Sequence, residues 1–333
     1  MSRIFRSDEV QVGDRVVARR DFGDVHSDVI GHVLSLKPLV IRPQQVGGYP
    51  SDLEAVEIAP EQLKIIKRLS PRMVRNSDIR AVEYATAQAF PGKEHTWTSD
   101  GAWLMRAGDG VTGRSNSAVP LGPSAGFIPV PLAEITEFYR RHNLPVRLLI
   151  PERIGKPAER LLADATWETE PEILVMVLRD LEALSAEIPG SHPSGAEFRI
   201  DDQPDEAWLQ MYHFRGQALP AQALEYLRAR IEGSMGFGRL VIGGETVAIT
   251  RGTITESGDG TAWLGYSAVE VAPSHRRQGL GALLGQHMLR WGREQGAKHA
   301  YLDVLASNTA GIRLYEKLGF IEQHRQIYAR LRD

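Results

Sequence analysis

The feature that most constrains this chain is a glycine-rich turn between a strand and a helix. The turn, Arg276-Arg277-Gln278-Gly279-Leu280-Gly281-Ala282, follows a predicted strand at Ala262 to Val271 and precedes a predicted helix at Gly281 to Gly296. Turns of this kind aim successive N–H groups at one point, and the following helix adds the positive end of its dipole. A pyrophosphate is the natural ligand of such a turn, and Arg276 and Arg277 would add charged donors.

Two other phosphate-binding loops do not match these residues. A Walker loop needs a Gly-Lys-Ser/Thr string, which this sequence lacks. A dinucleotide fingerprint needs a third glycine at position 284, which is Leu284, and an acidic residue at the following strand end, which is absent. The turn therefore belongs to neither class.

A second motif begins 27 residues after Gly281. Thr309 to Leu318 has a helical pattern that Gly319 would end, and Ser307 or Asn308 would cap its start. Tyr315 stands seven residues after Asn308, two helical turns along the same face. A phenol and an amide are therefore predicted on one side of this helix.

Together the two motifs resemble the acetyl-CoA core of the GNAT superfamily of N-acetyltransferases. The resemblance rests on Val271-Ala272-Pro273 through Ala282 and on Asn308-x-x-Gly311-x-x-Leu314-Tyr315-x-x-Leu318-Gly319-Phe320, and it covers roughly Phe198 to Asp333. It implies an enzyme with a mixed central sheet that uses acetyl-CoA. The implied reaction is direct attack of a primary amine on the acetyl carbonyl.

The resemblance also implies roles for individual residues. The main chain at Val269 and Val271 would pair with the pantetheine arm where two parallel strands separate. Asn308 would bind the same arm, and Tyr315 would act as general acid beside the thioester sulfur. The pyrophosphate would be held by the amides of Arg276, Arg277, Gln278, Gly279, Leu280, Gly281 and Ala282.

The general base stays open between two carboxylates. Asp303 occupies the place where the ribosomal-protein alanine acetyltransferases carry a glutamate, and Glu270 lies on the strand beside the separation point. Many members of the superfamily carry a glutamate six residues before the position of Val271, but this chain has Gly265 there.

The rest of the chain predicts an α+β (mixed α/β) protein of three segments. Residues 1–69 are expected to form a small SH3-like β-barrel. The role of this barrel would be that of a stabilising appendage, a dimer contact or a ligand-binding module. Residues 70–190 alternate strands and helices, as in an α+β domain. Arg114-Ser115-Asn116-Ser117 resembles a motif of tandem GNAT-like proteins, which implies a degenerate GNAT-like domain, but these residues also fit a plain turn between two strands. Residues 191–333 would be the catalytic GNAT domain, after a linker at Pro189 to Gly195. The predicted helices of this part of the chain include Pro60 to Lys67, Ala158 to Ala163 and Asp205 to Gln217.

This order of segments resembles a bacterial SH3-plus-GNAT group described as histone or protein acetyltransferases. That resemblance implies a protein lysine or N-terminal amine as acceptor, while the superfamily also acts on small amines, so both acceptor classes stay open. A different class of function also stays open: an acyl-CoA-binding regulatory module whose catalysis has decayed.

Composition excludes several partners and sites. Lys and Arg total 39 against 42 Asp and Glu, a net charge of −3, which argues against nucleic acid. The chain has no cysteine, which excludes disulfides, thiolate catalysis and Cys-ligated zinc, and the scattered histidines predict no metal site. No apolar run approaches the roughly 18 residues of a membrane span. A cytoplasmic, soluble protein is therefore expected, with a homodimer left open.

Overall fold

The computed structural model describes residues 9–23, 25–184, 195–214, 217–218 and 221–332. Apart from Gly195, the predicted linker at Pro189 to Gly195 lies outside these residues. The chain divides into two compact units: residues up to Arg75 with Ile321–His324, and Asn76–Phe320 with the residues from Arg325 on. No helix in the part of the chain that the structure describes is long and apolar enough to cross a bilayer.

The first unit is built on a five-stranded antiparallel sheet. Its core consists of strand residues on one face, among them Val16, Ala18, Val33, Ile41 and Ile58. The strands lie in the order β4-β3-β2-β1-β5. They are β1 Arg15–Asp21, β2 His26–Leu36, β3 Leu39–Pro43, β4 Val56–Ile58 and β5 Leu63–Arg68.

The helix predicted at Pro60 to Lys67 was wrong. Only Pro60–Gln62 forms a 3-10 turn, and Leu63–Arg68 continues as strand β5, which pairs with β1. Pairing with β1 satisfies the main chain of this segment and lets Leu63 and Ile66 pack on the core, and these long-range contacts outweigh local helix propensity.

In its described residues the second unit contains six α-helices. The helix predicted at Asp205 to Gln217 is shorter than expected: Asp205 caps it by accepting a hydrogen bond from the Trp208 amide at 2.9 Å, and it ends at Met211. Ala158–Ala163 is a 3-10 helix rather than an α-helix. The α-helices are α1 Asn76–Ala89, α2 Leu132–Arg141, α3 Glu206–Met211, α4 Ala221–Arg228, α5 Leu280–Glu294 and α6 Thr309–Lys317.

A nine-stranded mixed sheet forms the centre of the second unit. Its order is β11-β14-β15-β16-β17-β10-β18-β8, with β9 on β18. Two-stranded sheets pair β6 with β7 and β12 with β13. The strands are β6 Glu94–Trp97, β7 Leu104–Ala107, β8 Arg147–Pro151, β9 Trp167–Thr169, β10 Ile173–Arg179, β11 Glu197–Asp201, β12 His213–Phe214, β13 Gln217–Ala218, β14 Ser234–Ile242, β15 Glu245–Glu256, β16 Ala262–Val271, β17 His299–Leu305 and β18 Ile321–Leu331.

The two later predicted segments exchange strands within this sheet. Strand β10, from residues 70–190, pairs with β17, and strand β18, from residues 191–333, pairs with β8. Both pairings are antiparallel. Each segment therefore completes the sheet of the other, while the exact boundaries of the three segments stay a prediction.

Strands β16 and β17 separate partway along their length. Within the described residues they pair in parallel at three positions, ending with Gly265 opposite Tyr301. Beyond that point β16 bulges: Ala268 has a φ of 56°, and the register with β15 shifts between Ile249 and Arg251. A bulge bends its strand, so a gap opens between the ends of the two parallel strands.

Candidate active site

The gap leaves main-chain groups of β16 without a neighbouring strand. The Ala272 amide donates to the Val247 carbonyl of β15 at 2.9 Å. Because successive residues of a strand point their main-chain groups to opposite sides, those of Val271 point into the gap. An extended ligand could therefore pair with Val271 as an additional strand would.

The glycine-rich turn forms a cluster of unsatisfied amides at the start of α5. In the described part of the chain, the N–H groups of Arg277, Gln278, Gly279, Leu280 and Gly281 donate no hydrogen bond. Arg277 and Gly279 have φ angles of 62° and 82°, and left-handed residues in a tight turn can direct neighbouring N–H groups toward one centre. The arrangement is suited to a phosphate group.

Two side chains of this turn, those of Arg276 and Gln278, are engaged within the protein. Arg276 Nε donates to the Val271 carbonyl at 3.0 Å, and Arg276 Nη2 lies 2.8 Å from Glu270 Oε1. Gln278 Nε2 donates to the Ser274 carbonyl at 3.3 Å. Among the described residues, the groups that this turn leaves free for a ligand are therefore the main-chain amides and the Arg277 side chain, and Arg276 would have to leave Glu270 to take part.

A cavity of about 470 Å³ adjoins the gap. It brings together four of the predicted site residues: Val269, Asp303, Asn308 and Tyr315. The amide turn and Glu270 are not part of its lining. The other lining residues come from both exchanged segments: Phe90, Val111, Thr112, Gly113, Arg114, Arg147, Glu170, Ile173, Tyr212, Leu224, Leu227, Arg251, Tyr266, Ser267, Ala268, Val304, Leu305 and Tyr328.

Tyr315 presents a protonated phenol to this cavity. Its ring packs edge-on against Tyr266 and Phe320, with centroids 6.0 and 6.2 Å away. Burial raises the pKa of Tyr315 to about 12, so the hydroxyl stays protonated at neutral pH. Among the described residues this hydroxyl makes no hydrogen bond.

Asn308, rather than Ser307, caps helix α6. Its Oδ1 accepts from the Gly311 amide at 2.9 Å, which fixes the side chain at the mouth of the helix. The amide nitrogen of Asn308 stays available to a ligand, because the cap uses only the oxygen.

Asp303 is a buried carboxylate with one occupied oxygen. Its side chain is 4% exposed, and Oδ2 lies 3.3 Å from Arg114 Nε. Its Oδ1 is buried without a hydrogen-bond partner in the described chain. An ammonium or amine group in the cavity would satisfy that oxygen.

The Arg114–Ser117 motif forms the turn that delivers Arg114 to the site. Asn116 Oδ1 accepts from the Gly108 and Gly110 amides at 2.8 and 3.1 Å, which fixes the preceding loop. Ser117 Oγ accepts from Arg106 Nη2 at 3.2 Å. The sequence showed both the motif and Asp303, but it did not show that Arg114 pairs with Asp303.

The structure explains why position 265 lacks a glutamate. A Cβ at Gly265 would lie 2.6 Å from Thr253 Oγ1 and 2.7 Å from the Tyr301 hydroxyl. Real Cβ atoms do not tolerate such distances, so any side chain at Gly265 would displace its neighbours.

Sequence reasoning also missed a buried arginine, Arg251, in the wall of the cavity. Arg251 is 2% exposed and stands within an apolar and threonine-rich strand, β15. A charged residue in the middle of such a strand was the available signal.

The described residues hold no cluster of three or more side chains that could bind a metal ion.

Comparison with known proteins identifies the family. Residues 76–329 match the family described as "Probable histone acetyltransferase Rv0428c C-terminal". The chain is 34% identical over 318 residues to the probable histone acetyltransferase Rv0428c of Mycobacterium tuberculosis, covering 94% of this chain and 93% of that protein.

Two solved structures share the fold. A GCN5-related N-acetyltransferase from Kribbella flavida superposes with a TM-score of 0.56 at 18% identity, covering 75% of this chain and 93% of that one. A tandem GNAT protein from the clavulanic acid biosynthesis pathway has a TM-score of 0.53 at 16% identity, covering 78% and 96%. The match over residues 76–329, the relative at 34% identity and the shared fold place this chain in the GCN5-related N-acetyltransferase family, as an N-acetyltransferase of the Rv0428c group.

Proposed function

We propose that this enzyme transfers the acetyl group of acetyl-CoA to a primary amine by direct attack. The observation that carries the proposal is the run of five unsatisfied amides, Arg277 to Gly281, beside the gap between β16 and β17. A helix N-terminus with converging N–H groups favours a diphosphate, and the gap favours an extended amide-bearing arm.

Acetyl-CoA would supply an activated acetyl thioester, and this chain would bind and orient it. The amides from Arg276 to Ala282 would hold the pyrophosphate, with the Arg277 guanidinium adding charge. The main chain at Val269 and Val271 and the amide nitrogen of Asn308 would hold the pantetheine arm. These contacts would direct the thioester toward the cavity that Tyr315 lines.

Tyr315 would serve as the general acid. Its raised pKa of about 12 keeps the proton available, and its hydroxyl has no competing acceptor among the described residues. An ordinary thiol has a pKa of about 8.5, well below that of this phenol, so Tyr315 would stabilise the departing thiolate chiefly by donating a hydrogen bond to it.

Asp303 is the stronger of the two carboxylate candidates for holding the amine and accepting its proton. Its Oδ1 is buried at the cavity and unpaired within the described residues, whereas Glu270 pairs with Arg276 outside the cavity. In this proposal Glu270 positions Arg276 rather than contacting the acceptor.

The decisive experiment measures acetyl-CoA binding and thiol release in parallel. We expect acetyl-CoA to bind the wild-type chain, and Arg276→Ala/Arg277→Ala to weaken that binding while Asp303→Asn lowers turnover instead. An unchanged Kd in the arginine variant would contradict the role of these side chains. Binding of acetyl-CoA without turnover of any amine would favour the decayed regulatory module.

The middle segment is proposed to be a degenerate GNAT copy. In this segment Ala118 and Leu148 form a parallel bridge, and helix α2 lies between them in the chain, just as α5 lies between the parallel strands β16 and β17. The two segments also exchange strands β10 and β18. Its loop at 120–131 has no positive φ angle and is rich in proline. Without the converging amides this copy would bind no diphosphate.

The first unit is proposed to be an SH3-like barrel, because β5 returns to pair with β1 in an otherwise sequential order of strands. Its role as an appendage, a dimer contact or a binding module stays open, and gel filtration of the full chain would test the homodimer. The cytoplasmic location likewise stays part of the proposal, and fractionation would test it.

A further inference from the structure

Arg251 is a nearly inaccessible cation in the wall of the cavity. Its Nε donates to Ser267 Oγ at 3.2 Å, and its Nη1 lies 3.5 Å from the Tyr212 hydroxyl. Its guanidinium carbon lies 5.3 Å from the centre of the Phe90 ring. In the described residues no carboxylate lies within ion-pair distance of Arg251.

The other two arginines of the cavity are neutralised. Arg114 pairs with Asp303 at 3.3 Å, and Arg147 Nη2 lies 3.4 Å from Glu170 Oε1. Among the residues that the structure describes, three arginines and two carboxylates line the cavity, which leaves a surplus of one positive charge there. Because an uncompensated buried charge is costly, a ligand with an anionic group would relieve that cost.

Arg251 and Asp303 stand at the same level of the sheet. Arg251 on β15 is paired with Ser267 on β16. Two residues before Ser267, Gly265 is paired with Tyr301 on β17, and Tyr301 is two residues before Asp303. Residues two apart on a strand share a face, so Arg251, Ser267 and Asp303 face the same side. Strand β16 lies between the strands that carry the cation and the anion, and at this level β16 and β17 have already separated.

We propose that the acceptor is a free amino acid, whose carboxylate Arg251 binds while its amine lies at Asp303. This inference rests on the proposed function and specifies its substrate class. An amino acid carries both an amine and a carboxylate, and the cavity offers an acidic and a basic side chain on the same face of the sheet, one on each side of β16. The remaining wall includes Phe90, Leu224 and Leu227, which favour an apolar side chain.

The test compares L-leucine, L-methionine and L-phenylalanine with their amides, which keep the amine and remove the charge. The CoA-loaded full-length chain is titrated calorimetrically with each probe, and CoA release is measured with a thiol reagent; the chain has no cysteine to contribute background. We expect each preferred acid to bind roughly 10- to 100-fold more tightly than its amide. Arg251→Gln should abolish this preference, and Arg251→Lys should retain part of it, with acetyl-CoA affinity unchanged in both.

A matched control distinguishes this role from a structural one. Arg239, on β14, is also buried, but it is paired with Asp201 at 2.7 Å and Asp205 at 2.6 Å. Arg239→Gln should lower stability and leave the preference for the acid unchanged.

Equal binding of acids and amides, binding of neither, or turnover confined to amines without a carboxylate, including a lysine peptide, would each overturn the inference. Failure of the proposed function is distinguishable, because then acetyl-CoA does not bind or no amine is acetylated, while the same calorimetric comparison of acids with amides on the CoA-free chain still decides the role of Arg251.

Discussion

Asp303 and Arg114 join the two exchanged segments at the candidate active site, with Arg114 Nε 3.3 Å from Asp303 Oδ2. Asp303 belongs to strand β17, and Arg114 arrives on a turn of the middle segment. The carboxylate is 4% exposed and the arginine side chain 26% exposed. A segment predicted to have lost cofactor binding therefore still supplies the countercharge of a buried acid.

Removing Arg114 should cost stability and activity together. Arg114→Gln leaves a buried carboxylate without its countercharge, and we expect unfolding to become easier by about 1–3 kcal/mol, less than for a fully buried pair because Arg114 is partly exposed. Urea unfolding and kcat/KM measure the two effects. The double variant Arg114→Gln/Asp303→Asn should recover stability without recovering activity; recovery of activity would contradict the catalytic role of Asp303.

Replacing Tyr315 by Phe should slow catalysis and spare binding. Loss of a positioned proton donor lowers kcat by roughly 10²- to 10⁴-fold, while acetyl-CoA affinity stays within about twofold. Steady-state kinetics and equilibrium titration separate the two. Loss of acetyl-CoA binding of similar size would assign Tyr315 to the binding site instead.

Replacing Gly279 by Ala should weaken acetyl-CoA binding. Gly279 has a φ of 82°, where a Cβ costs about 1–2 kcal/mol, and relaxation of the turn would move the converging amides apart. We expect the acetyl-CoA Kd to rise about tenfold. Gly296, just beyond α5 with a φ of 88°, is the matched control: Gly296→Ala carries the same strain and should leave the Kd unchanged.

The protein should lose stability in alkali. Burial raises the pKa of Tyr139, Tyr315 and Tyr328 above the ordinary value near 10. Above pH 10 the unfolded chain releases phenolic protons that the folded chain retains, so the free energy of unfolding falls by up to about 1.4 kcal/mol per pH unit for each tyrosine.

Below about pH 9 these phenols are protonated in both states and contribute no slope. Urea unfolding at pH 8, 10 and 11 measures the effect, and Tyr139→Phe should reduce the slope. A free energy of unfolding that stays constant to pH 11 would show that the phenols are not buried as described.

Local signals determined much of what lies around the cofactor turn. The bounds of β16, Ala262–Val271, were predicted correctly from the sequence, and α6 was predicted to within a residue at its end. The strand depends here on the alternation of apolar and polar residues, the turn on its glycines and the helix on its capping residue. Each of these signals acts over only a few residues. The prediction of a helix at Pro60 to Lys67 was wrong because residues of this segment pair with strand β1, 43 to 52 positions earlier in the chain.

Only the tertiary structure decided how the site is assembled. The motifs indicated Tyr315, Asn308 and the amide turn from the sequence, because each depends on its neighbours in the chain. The pairing of Arg114 with Asp303, the isolation of Arg251 from carboxylates in the described chain, and the exchange of β10 and β18 depend on contacts between residues far apart in sequence. Charge balance in a cavity is a property of the space that several segments enclose, so no single stretch of sequence specifies it.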